Sequence, residues 1–206
     1  MSGADFFDSI AVIVVKGHVV INAFPASGSI TCCADVAIAL AVFAAAEHEG
    51  PVYMRFGRLA VPVVFDEDYK FEIGKGVELK EGTDVTVIAT GLMVAEAIKA
   101  ADILADKGIS VAVINISTIK PIDKELLVEY AKKCGAIVTT EEHSIIGGLG
   151  SAVSEFLSEN YPTPVLKLGV YDTFGKSGPA NELLDKFGLR AKDIAEMAKK
   201  AMAKKA

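Results

Sequence analysis

The chain has 206 residues, 51% of them apolar, a net charge of −6 and a sequence pI near 5.2. That is enough apolar material for one full domain, or for one domain and a piece of another. The acidic balance gives no electrostatic footprint for nucleic acid or an anionic membrane, so the expected partners are small molecules or proteins.

The opening MSGADFFDS carries acids where an export signal would carry lysines, and a cytoplasmic location is expected. IAVIVV, HVVINAF and PVYMRF then read as two or three strands around the alanine-rich run VAIALAVFAAA. That run, Val36 to Ala46, is well short of the roughly 20 residues needed to cross a bilayer and reads as a buried helix. Two or three strands and one helix are too few to close a doubly wound layer, so residues 1–64 look like part of a domain. The glycines and scattered charges of 65–82 then read as a linker.

From 83 to 206 the pattern changes. DVTVIAT, VAVINI, AIVTTEE and VLKLGV are β-rich apolar runs, separated by helical stretches at about 92–107, 123–133 and 149–160. Strands that are apolar throughout and alternate with helices specify a parallel sheet covered on both faces. In the first helix Val94, Ala97, Ile98, Ala101, Leu104 and Ala105 follow the helical period, and Gly108 ends it. Two further helices, about 180–187 and 191–204, close the chain. The fold class is α/β: a three-layer domain with a mainly parallel sheet, preceded by a partial α/β region.

Cys32, Cys33 and Cys134 are too few for a disulfide framework and lack metal-site spacing, and they read as reduced thiols. The stretch EEHSIIGGLGSA, Glu141 to Ala152, is where a phosphate-cradling loop would sit. It fails the dinucleotide fingerprint, because no third glycine follows Gly148 and Gly150 at the required spacing. Glu141 and Glu142 would also repel a pyrophosphate. It reads as a turn that starts a helix close to the sheet, with Gly148 or Gly150 able to take a positive φ. Glu141 and Glu142 themselves read as polar strand termini on opposite faces, with no metal-pair geometry. His143, at the carboxyl end of a strand beside two carboxylates, could titrate near neutrality and face a cleft, or could cap the turn.

Four ordered segments carry a resemblance: GPVYMRFGR, the run from Thr83 to Asp123, TEEHSIIGGLGSAVSE and DTFGKSGPANELLDKFGL. Together they resemble the C-terminal portion of transketolase, in the form found as a separate C-terminal subunit. The likeness runs from about Gly50 to the end. Deoxyxylulose-phosphate synthase and the beta subunits of 2-oxo-acid dehydrogenases, which share this domain, are resembled more weakly.

The resemblance implies that residues 83–206 are the transketolase C-terminal domain and 1–64 a remnant of the pyrimidine-binding domain. It implies transfer of a two-carbon ketol unit between ketose and aldose phosphates, as in the pentose phosphate pathway, with thiamine diphosphate and magnesium in the complete enzyme. An N-terminal subunit or section is the implied partner, along with homodimer contacts. The family's GDG…N pattern and its activating glutamate do not occur here. No cofactor, metal or catalytic residue is therefore expected in this chain alone, which should be inactive by itself. Phe6 and Phe7 stand where the family has His-Gln, and SGSITCCADVAIAL departs from its pattern. Arg58 is the implied substrate-phosphate residue, its guanidinium fork suited to phosphate oxygens. His143 is placed near the active-site mouth or an interface. The contrasting reading is a non-catalytic module that holds a partner or dimerises.

Overall fold

A computed structural model describes residues 9–15, 18–21, 34–57, 61–66 and 68–205, with side-chain surroundings from 37 onward except at 56 and 57. The chain divides into two units, one ending at Ile73 and the other beginning at Gly74.

In the first unit β1 (Ser9–Val15) pairs antiparallel with both β2 (His18–Ile21) and β3 (Val52–Gly57), giving the order β2-β1-β3. The apolar run between them forms α1 (Ala34–Glu47). Sequence alone suggests a buried helix here, yet of its described side chains only Ala45 is buried, and Phe43 is 66% exposed. A helix that is apolar on every side needs cover on every side, and one small sheet has too little surface to provide it.

The second unit is a five-stranded sheet in the order β4-β6-β5-β7-β8. Its parallel strands are β5 (Val85–Ala89), β6 (Val111–Ile116), β7 (Ile137–Ser144) and β8 (Val165–Val170). Every residue of β5 and β6 is buried, as the unbroken apolar runs predict. The crossover helices α2 (Met93–Ala105), α3 (Lys124–Cys134) and α4 (Leu149–Asn160) fall within two residues of their expected bounds. So do α5 (Ala180–Phe187) and α6 (Ala191–Met202). On one face Leu127 and Tyr130 of α3 and Leu149, Val153 and Leu157 of α4 close over Ile88, Ile114 and Ile137. On the other, α2 and α6 pack against each other and the central strands.

One strand lies inside the stretch that reads as a linker. β4 (Gly76–Lys80) pairs antiparallel with β6, Gly76 opposite Ile116, and forms an edge of the sheet. Its sequence GVELK is short and charged, so it carries little strand signal. Long-range contacts hold it instead. The Gly76 amide donates to Asp123 Oδ2 at 3.0 Å, and the Tyr130 hydroxyl donates to Glu78 Oε2. Asp123 also caps α3, accepting from the Leu126 amide at 3.1 Å.

Candidate functional site

The carboxyl ends of β5 to β8 carry the loops on which an open parallel sheet usually builds a site. β5 is continued by Thr90, Gly91 and Leu92 into α2, and β7 by residues 145–148 into α4. The strand order places β5 between β6 and β7, so chain connections leave this point in opposite directions.

The glycine-rich turn is organised by Glu141. Its side chain is fully buried, and its two oxygens accept separate amides at the start of α4: Leu149 N to Oε2 and Gly150 N to Oε1, both at 2.8 Å. Those amides lack partners within the helix, and the helix dipole favours negative charge there. The chain's own carboxylate therefore occupies the position an external phosphate would need. Burial pushes the Glu141 carboxyl upward, while the Gly150 and Leu149 amides and the charge of Lys167 oppose that shift.

Each glycine has a different reason to be there. Gly147 has φ +78°, with open space where a Cβ would stand. Gly148 has an extended backbone, φ −97°, and a Cβ there would meet Glu141 Oε2 at 2.0 Å. Gly150 is helical; its Cβ would lie 2.7 Å from Lys167 Cγ and 2.8 Å from Thr139 Oγ1. The expected helix-starting turn is present, but the positive φ belongs to Gly147, not to Gly148 or Gly150. Glu141 is likewise a buried cap, not a polar strand terminus. Ser151 Oγ completes the turn, accepting from Gly147 N at 2.9 Å and donating to Ile145 O at 3.3 Å.

His143 is half-buried near the end of β7, two residues beyond Glu141. Its carbonyl oxygen faces β8 closely enough that a Cβ on Gly169 would approach it to 2.8 Å. Arg58 lies outside the described residues, immediately after β3, as do Cys32, Cys33, Phe6 and Phe7. Cys134 is a buried thiol whose Sγ donates to Gly82 O at 3.5 Å, and burial raises its pKa. It is packed, with no reactive thiolate environment.

Sequence reasoning missed two features. The first is the remote cap, for which the available signal is a glycine, not Ser, Thr, Asp or Asn, at the N-cap of a buried helix. The second is a set of exposed apolar side chains on the loops after β7 and β8: Ile146, Tyr171 and Phe174, the last 93% exposed. All of Tyr171 to Ser177 is exposed.

Among the described residues, no three or more His, Cys, Asp or Glu side chains could hold a metal ion. The α4 amides are already engaged. The described residues thus do not fit thiamine diphosphate with its metal. No helix among them is long and apolar enough to cross a membrane.

The model of the transketolase C-terminal domain matches residues 74–194. A 6-deoxy-6-sulfo-D-fructose transketolase subunit of Clostridium sp. (strain MSTE9) is 49% identical over 151 residues, covering 73% of this chain and 47% of that protein. A transketolase C-terminal section of Methanocaldococcus jannaschii is 44% identical over 162 residues, covering 77% and 50% respectively. A solved structure described as a split gene transketolase, inactive beta4 tetramer, superposes with TM-score 0.79 at 53% identity. It covers 81% of this chain and 55% of that one. The chain thus spans about half the length of these three relatives.

Proposed function

Since the chain belongs to the transketolase C-terminal domain family, we propose that it is the C-terminal section of a transketolase divided between two chains. In this reading it acts with a separate N-terminal chain to move a two-carbon ketol unit between a ketose phosphate and an aldose phosphate. The observation that carries the reading is its likeness to proteins that are themselves subunits or sections, over about half their length. The partner chain supplies the groups that hold thiamine diphosphate and magnesium. This chain supplies the C-terminal domain and Arg58, whose guanidinium binds the substrate phosphate bidentately. His143 stands near the mouth of the shared site or at a subunit boundary. Homo-oligomeric contacts and a cytoplasmic location belong to the same reading.

The test is reconstitution. The purified chain with thiamine diphosphate and magnesium should show no ketol transfer and no change in melting temperature, whereas adding the diphosphate-binding chain should restore transfer. Arg58→Ala in the reconstituted enzyme should raise KM for phosphorylated sugars more than for their unphosphorylated counterparts. Micromolar cofactor affinity in the isolated chain would overturn this assignment. A second reading, a non-catalytic assembly module, draws on the exposed Ile146, Tyr171 and Phe174. It predicts a stable complex with the partner chain in which ketol transfer does not depend on Arg58.

A further inference from the structure

We draw no further inference here: the strongest candidate, the exposed apolar side chains Ile146, Tyr171 and Phe174 on the loops that follow β7 and β8, carries nothing because nothing in the structure shows what covers them.

Discussion

The two units of this chain solve the problem of burying apolar surface to different extents. Beyond Gly74, a mainly parallel sheet whose strands β5 and β6 are buried along their whole length lies between two helical layers, and the large side chains Ile88, Met93, Leu104, Tyr130 and Leu157 are fully enclosed. Before it, the apolar helix α1 leaves Ile38 and Phe43 exposed at 41% and 66%, and Tyr53 on β3 is 70% exposed. Both stretches are rich in apolar residues. What separates them is whether the described residues provide a second surface for every apolar face, which composition does not report.

The largest expected consequence is proteolytic. Cleavage should begin between β3 and β4, where the described residues 61–66 and 68–73 form no helix or strand, and leave a resistant fragment that starts near Gly74. β4 removes 76–80 from the expected 65–82 linker and shifts the cleavage site toward its start. Its ladder to β6 and the Gly76 to Asp123 hydrogen bond protect 76–80. Mass spectrometry of the early fragments decides the matter: a first cut within 76–80 would separate β4 from the sheet in solution.

Next in size is the loss of the buried cap. Glu141→Ala leaves the Leu149 and Gly150 amides without an acceptor in a site closed to water. Each unsatisfied buried amide costs about 1–3 kcal/mol, so the expected loss for the two is about 2–6 kcal/mol. Chemical denaturation measures it. Hydrogen exchange should place the lost protection first at the start of α4 and leave the first unit unchanged. A variant within about 0.5 kcal/mol of the parent would show that the carboxylate contributes nothing to the contrast between units.

The same cap marks the limit of what could be read from the sequence. The four parallel strands and five helices were legible because their cores are built from local periodicity, as in the Val94, Ala97, Ile98, Ala101 series of α2. The domain family was legible because four motifs occur in order. β4 was not, since GVELK offers only Val77 and Leu79 as an apolar face, too short a pattern to mark a strand, and is fixed by partners on β6 and α3. Nor was Glu141: its amides lie eight and nine residues ahead, beyond the three-residue spacing of a local capping box. Glycine spacing and charge repulsion are the arguments the sequence offers against a phosphate at the turn, whereas in the structure the carboxylate itself sits on the amides at the start of α4.

A smaller effect separates the reasons for two glycines in the turn. Gly150→Ala adds a methyl against Lys167 and Thr139, an overpacking of about 1–3 kcal/mol. The better helix propensity of alanine offsets roughly 1 kcal/mol of it, for an expected net loss of about 1 kcal/mol. Gly147→Ala meets no neighbour but must hold φ +78°, at a cost of about 1–2 kcal/mol. Asparagine resolves the two causes, because it tolerates the left-handed region but is larger than alanine. Gly147→Asn should therefore be more stable than Gly147→Ala, and Gly150→Asn less stable than Gly150→Ala. The reverse order in equilibrium unfolding would return the positive-φ role to Gly150.

The smallest effect lies on the surface of the same well-packed unit. Arg190, where α5 gives way to α6, donates from Nε and Nη2 to the two oxygens of Asp185 at 2.8 and 3.1 Å. A further bond runs from Nη2 to Asn181 O at 2.7 Å. The hydrogen-bonded guanidinium holds the Asp185 carboxyl below its ordinary value. A depressed folded-state pKa stabilises the fold above the unfolded value and loses that contribution as pH falls through the folded value. The Asp185 side chain is 58% exposed, so water and salt screen the pair. Asp185→Asn should lower the melting temperature slightly at neutral pH, by less in high salt. Its difference from the parent should begin to close below the ordinary aspartate range of about 3.9 and vanish in stronger acid. A difference that persists unchanged through that acid window would mean Asp185 acts through packing or its neutral hydrogen bonds, with its charge immaterial.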